Sequence, residues 1–254
     1  MKVNVLLGIV SFFITCFNTL DAACQANKQT NVTIKISFIN TINNLPVVLD
    51  SGSYTNCWNE PFNITALKYY ISNVQLQTAE KKIAAEKNSY HLINEEDSAS
   101  KSFSFMASNG SYKTLSFLIG IDSLKNVSGA QTNALDPLNG MFWAWNSGYI
   151  MFKLEGYSSK SAVAKNKIEY HIGGFSGANN VLRTVELNIE SNKLLLNKNS
   201  ALEIIIQVDL NKIWNKAHEL KISNTPICTI PGVLAAGIAD NYSKAFEILK
   251  VIHP

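Results

Sequence analysis

Ser147-Gly148-Tyr149-Ile150-Met151-Phe152-Lys153-Leu154-Glu155-Gly156 sets Ile150, Phe152 and Leu154 against Tyr149, Met151 and Lys153. A period of two is the signature of a strand with two unlike faces. The same alternation recurs on both sides of it. Lys167 to Ile172 sets Ile168, Tyr170 and Ile172 against Glu169 and His171. Val32, Ile34, Ile36 and Phe38 form another row, which Asn40 continues, before Asn43-Asn44 turns the chain. Ala66 to Gln77, Tyr90 to Asn94, Tyr112 to Asp122, Val185 to Ile189 and Leu202 to Val208 read as further strands. Asn, Gly, Ser and Pro clusters separate them, the pattern of an antiparallel sandwich.

Helical character is confined to two C-terminal stretches. Asp209 to Glu219 opens on a good N-cap, and Val233 to Leu249 spaces Leu234, Ile238 and Tyr242 as a helix does. The expected fold is mainly β: a single antiparallel β-sandwich-like domain with one or two short C-terminal helices.

The chain has 254 residues, 46% hydrophobic and 16% charged, with a net charge of +3. This describes a globular domain with a sizeable core. The lysines are scattered rather than striped, so nucleic acid is not an implied partner. Lys2 followed by the apolar run Val5 to Phe17 and the small residues Ala22-Ala23 reads as an export leader. The expected division is a signal peptide over 1–23 and a β domain over 24–254. Cleavage after Ala22 is one outcome; lipidation of Cys24 is another, because Leu20-Asp21-Ala22-Ala23-Cys24 approximates a lipobox. Membrane attachment is expected only through that lipid. In an oxidising compartment Cys57 and Cys228 are the natural disulfide pair once Cys24 is set aside.

No nucleophile elbow, phosphate loop or His-Glu-x-x-His helix is present, so the chain reads as a binding protein and not an enzyme. His91, His218 and His253 read as structural or exposed. His171 opposes the apolar row of its strand, so it faces solvent or lines a pocket, and Gly173-Gly174 follows at once. Asp122, Asn126, Asp136 and Asn139 lie in a long loop, where they serve as turn formers and caps or as oxygen ligands for calcium. Beyond them, Gly140-Met141-Phe142-Trp143-Ala144-Trp145 places Met141, Trp143 and Trp145 on one face at strand spacing, either as packing or as the wall of a pocket.

Taken in order, Thr65-Ala66-Leu67-Lys68-Tyr69-Tyr70-Ile71-Ser72-Asn73, Ile119-Gly120-Ile121-Asp122, Leu135-Asp136-Pro137, the tryptophan segment, Lys153-Leu154-Glu155-Gly156 and His171-Ile172-Gly173-Gly174-Phe175 resemble the MbnP-like family. Its founding members are exported copper-binding proteins of methane-oxidising bacteria. The resemblance implies copper held by histidines and by a kynurenine made from tryptophan, the oxidation being done by a di-haem c-type cytochrome of the peroxidase type. It makes His171 a ligand and Trp143 or Trp145 the modified ring. It puts Asn40 where a second histidine is expected, a departure that removes one imidazole from the site. Met141 offers a soft thioether if it faces the same pocket. An alternative follows from Asn40: an exported binding module of the same fold, its metal site degenerate, whose aromatic pocket takes another ligand or a protein.

Overall fold

In the computed structural model of this chain the described residues are 31–129, 131–145, 148–189, 195–196 and 202–253. The leader, Cys24 and Pro254 lie outside them. The framework strands are β1 (Asn31–Ile42), β2 (Ala66–Thr78), β3 (Tyr90–Asn94), β4 (Ser102–Ser108), β5 (Gly110–Ile119) and β6 (Phe142–Trp143). They continue as β7 (Gly148–Tyr157), β8 (Lys167–Gly173), β9 (Arg183–Asn188), β10 (Leu202–Asp209), β11 (Ile227–Cys228) and β12 (Phe246–Ile252). Two α-helices accompany them among the described residues, α1 (Ser123–Asn126) and α2 (Val233–Tyr242).

The strands form two principal sheets. The smaller runs β12-β10-β1, with β4 on the far edge of β1; the larger runs β9-β5-β2-β7-β8-β11. Most neighbours are antiparallel, as the hairpin-like spacing implies, but β1 pairs with β10 and β8 with β11 in parallel. The first parallel pair joins residues more than 160 positions apart, from Ile34 opposite Leu202 to Thr41 opposite Asp209. No local turn signal announces such a contact.

The core lies between the sheets and is rich in aromatic rings. Phe38 of β1 meets Tyr69 of β2 edge-on at 6.3 Å, and Phe117 of β5 meets Phe246 of β12 at 5.4 Å. Phe152 of β7 stacks on Tyr242 of α2 at 4.8 Å. Edge-to-face and offset contacts of this kind add to the area they bury. The inward row of β1 ends in a polar group. Asn40 is buried; it accepts the Tyr69 hydroxyl at 2.9 Å, and its Nδ2 donates to Glu95 Oε2 at 2.7 Å. Lys101 closes the chain of contacts on Glu95 Oε1 at 2.6 Å. Asn40 is thus a polar tie between the two sheets.

The outward side of the larger sheet is covered at β2 and β7 by residues 121–129 and 131–145. Tyr69 points into the core, so Tyr70 points the other way. Its hydroxyl donates to the Ala134 carbonyl, and that of Tyr149 to the Leu135 carbonyl. The residues considered for calcium are used in building this cover. Asp122 caps α1 and accepts from Tyr90, and Asn126 is buried, donating to the Ile121 carbonyl and accepting the Tyr149 amide. Asp136 caps the turn Pro137–Asn139, and Asn139 donates to the carbonyls of Asn133 and Ala134.

Three local expectations are corrected. The segment after Asp209 forms only a short 3-10 turn, Leu210–Ile213, followed by bends. The helical reading of Val233 to Leu249 stops at Tyr242, because Phe246 leaves helix spacing to pair with Val208 and pack against Phe117. Cys57 and Cys228 are not bridged: Cys57 is exposed in a loop, whereas Cys228 is buried in β11 beside Tyr170. Both are free thiols, and burial pushes that of Cys228 up to about 11.

Removing the polar tie exposes its energetic role. Asn40→Ala leaves the Tyr69 hydroxyl and one Glu95 oxygen without their partner. The expected loss, measured by urea unfolding, is about 1–3 kcal/mol. An unchanged midpoint would show that these groups find other partners.

Candidate metal centre

Strands β7 and β8 carry two rows of side chains with opposite destinations. Phe152 is opposite Tyr69 and Ile172, and Leu154 is opposite Leu67 and Tyr170; this row faces the core. Lys153 is opposite Lys68 and His171, and Glu155 is opposite Glu169; this row faces outward. His171 therefore does not point into the sandwich interior where Asn40 lies. The two residues are on opposite sides of the larger sheet, which overturns the expectation that Asn40 completes a site with His171. The cause is strand alternation: Asn40 continues the inward row of Phe38, while His171 alternates with the inward Tyr170 and Ile172.

What the outward row does gather is an imidazole and two carboxylates. His171 Nε2 lies 2.6 Å from Glu155 Oε1 and 3.5 Å from Glu169 Oε1. One ligand atom from each of the three residues lies within 4.8 Å of the others. All three are half-buried, the His171 side chain being 13% exposed. Two ammonium groups balance the carboxylates: Lys153 Nζ is 3.6 Å from Glu155 Oε1 and Lys167 Nζ is 2.8 Å from Glu169 Oε2. The hydrogen bond to His171, helped by Lys153, outweighs partial burial and holds the Glu155 carboxyl down at about 2. Glu155 is consequently an anion at any physiological pH. Neither glutamate stood out as a candidate in the sequence. Glu169 was within reach, two residues before His171 on the same face, but Glu155 joins them only through the β7–β8 register.

The tryptophans separate. Only Phe142 and Trp143 are in strand β6; a turn begins at Ala144, so the expected common face for Met141, Trp143 and Trp145 breaks down. Trp143 is buried and Trp145 is 65% exposed, their rings 5.4 Å apart. Met141 is fully buried, its carbonyl accepting the Ile150 amide. Trp143 lies over Gly173: a Cβ added there would stand 2.5 Å from the indole ring and 2.8 Å from the Tyr149 carbonyl oxygen. Gly173 follows His171 by two residues, so Trp143 covers the sheet face that carries His171. The absent side chain at 173 is what lets the indole approach the strand this closely.

Of the other histidines, His91 stacks on Phe103 with ring centroids 3.5 Å apart and pairs with Glu86, and His218 pairs with Asp240 at 3.1 Å. Both are engaged by carboxylates of their own surroundings.

A mainly β sandwich with a covered outer face and a single histidine beside a buried tryptophan defines the class of fold and site. The chain matches the MbnP family over residues 31–230 and belongs to it. Among solved structures it is similar to MbnP from Methylosinus trichosporium, at 14% identity and a TM-score of 0.58, over 88% of this chain and 99% of that one. No curated protein matches it. At this identity the structural likeness speaks for the fold.

The family is linked to copper, and the donors present can be weighed against that metal. One imidazole and two carboxylates form a nitrogen–oxygen set, which suits copper(II) and other divalent ions and is a poor match for copper(I).

Two measurements probe this face. Gly173→Ala is expected to cost about 1–3 kcal/mol by overpacking and to shift tryptophan emission as the Trp143 ring is displaced. For Glu155, the folded-state pKa of about 2 lies below the ordinary 4.5, so its pairing stabilises the fold above 4.5 and is lost as pH falls towards 2. The stability gap between wild type and Glu155→Gln should narrow over that acid range. A gap independent of pH would assign the effect to packing.

Proposed function

We propose that this chain is an exported copper-handling protein that holds copper(II) on the outer face of its larger sheet, through His171 Nε2 and the carboxylates of Glu155 and Glu169. The observation that carries the reading is the convergence of these three ligand atoms within 4.8 Å, beside Trp143, in a member of the MbnP family. Each residue has a distinct part. His171 supplies the nitrogen donor. Glu155, already ionised, supplies negative charge without needing to lose a proton. Glu169 supplies a second oxygen from the neighbouring strand. Lys153 and Lys167 neutralise the carboxylates, so they compete with a cation and weaken its binding. When bound, copper would supply a Lewis-acidic, redox-active centre on a rigid sheet. The groups gathered here are donors on strands with no activated nucleophile, which favours a binding role over an enzymatic one.

Trp143, and not the exposed Trp145, is the ring on the His171 face. It is the residue on which kynurenine formation by a di-haem peroxidase-type partner would add an aromatic amine and a ketone to this surface. Export is read from the leader over 1–23, with lipidation of Cys24 as the route to a membrane anchor.

The test is a copper(II) titration of the purified mature chain by calorimetry and paramagnetic resonance. Stoichiometric binding is expected, weakened about tenfold or more in His171→Ala and in Glu155→Gln and strengthened in Lys153→Gln. Asn40→His should leave copper affinity unaltered. Equal binding by wild type and His171→Ala would sink the reading. Separately, the peptide carrying Trp143 and Trp145, isolated after co-expression with the haem partner, should carry any modification on Trp143.

A further inference from the structure

A second feature of the Trp143 region is a cleft of about 470 Å³, within the size range of small-molecule sites. Its walls include Trp143, Tyr149 and Phe175, with Ser176, Asn179 and Pro231 at the edge. The remainder is glycine and alanine: Gly148 at the start of β7, Gly174, Gly177 and Ala178 around the loop after β8, and Gly232 before α2. No residue of the carboxylate cluster lines it, and Trp143 is the one lining residue it shares with the proposed copper site.

Three properties define what it can hold. First, the lining has no carboxylate, ammonium, guanidinium or imidazole group among the described residues. The Tyr149 hydroxyl is already given to the Leu135 carbonyl at 2.6 Å. A charged ligand would lose its hydration here with no opposite charge to replace it, so the occupant is neutral. Second, aromatic rings and hydrogen-bonding groups stand side by side: indole and phenyl rings, the Ser176 hydroxyl, the Asn179 amide and the main chain of the loop. Such walls match a ligand with an apolar face and a rim of hydroxyls. Third, the loop is held in place. The Val181 amide donates to the Gly174 carbonyl, the Leu182 amide to Asn180 Oδ1, and the Tyr242 hydroxyl to the Val181 carbonyl. A restrained loop loses little freedom on binding. Trp145, two-thirds exposed with its ring 5.4 Å from that of Trp143, extends the aromatic surface into solvent.

We propose that this cleft is a saccharide-binding site: a neutral pyranose stacks on the exposed Trp145 indole beside it, and its hydroxyls bond to Ser176, Asn179 and the loop main chain. Neither reaction nor metal is involved. A flat aromatic ligand would use the rings and leave the polar rim unpaired, which is why the hydroxyl-bearing ring is favoured.

The experiment titrates the purified mature chain with neutral β-1,4-linked tetrasaccharides of glucose, mannose, xylose and N-acetylglucosamine, with tetragalacturonate as the acidic comparison. Binding is read by calorimetry and tryptophan fluorescence. Two variants at exposed positions spare the core: Trp145→Ala removes the outer ring, and Ala178→Trp fills the cleft. Saturable binding of at least one neutral saccharide is expected, with Kd raised about tenfold or more in both variants. Their folding is checked by far-ultraviolet circular dichroism. Failure of every neutral saccharide to bind, binding of the acidic one alone, or binding that survives both variants would overturn the proposal. Copper(II) titration of Ala178→Trp separates the two sites: its copper binding should match wild type.

Discussion

The pairing of β7 with β8, flanked by β2, is the constraint on which the rest depends. One register delivers Phe152, Leu154, Tyr170 and Ile172 to the core and Lys153, Glu155, Glu169 and His171 to the opposite side. A slip of β8 by one residue would exchange its two faces, turning Lys167, Glu169 and His171 into an aromatic interior. The hydrophobic core and the candidate metal centre are therefore two faces of the same alternation. The energy that pins the register comes from the core, where Tyr69, Phe152 and Tyr242 stack in succession. The geometry of the ligand atoms follows from it.

The cover over the outer face makes that face more than a solvated surface. Residues 121–129 and 131–145 would be long for a structureless loop, but capped turns and buried side chains tie them down, Asn126 and the Tyr70 and Tyr149 hydroxyls foremost. Turn residues that resemble a calcium loop in sequence are spent on helix caps and backbone groups. The cover brings Trp143 onto Gly173 and leaves Trp145 outside. A buried ring beside the His171 face and an exposed ring beside the cleft are thus products of the same turn, which begins at Ala144.

Asn40 shows how a motif position changes meaning in three dimensions. As a letter in a family pattern it marks a missing imidazole. In the fold it receives the Tyr69 hydroxyl and donates to Glu95, linking the sheets from inside. Its loss from a ligand set and its use as a polar tie are consistent, because a side chain at the end of the inward row of β1 cannot reach the outward row of β8. Competition from Lys153 and Lys167 on the other side makes the remaining cluster a nitrogen–oxygen site tempered by its own cations.

By itself the sequence determined the alternating strands, the sandwich class, the family and the candidacy of His171 and of the pair Trp143 and Trp145, because period-two patterning and local motifs are written in consecutive residues. Tertiary structure alone decided the parallel β1–β10 pairing, the end of α2 at Tyr242, the unbridged Cys57 and Cys228, and the separation of the two tryptophans. It also decided that Glu155 joins His171 while Asn40 does not. Alternation says that two residues of one strand share a face; it does not say which strand will lie alongside. That choice belongs to long-range packing, where residues far apart in the chain bury their apolar rows together and carry the polar rows with them.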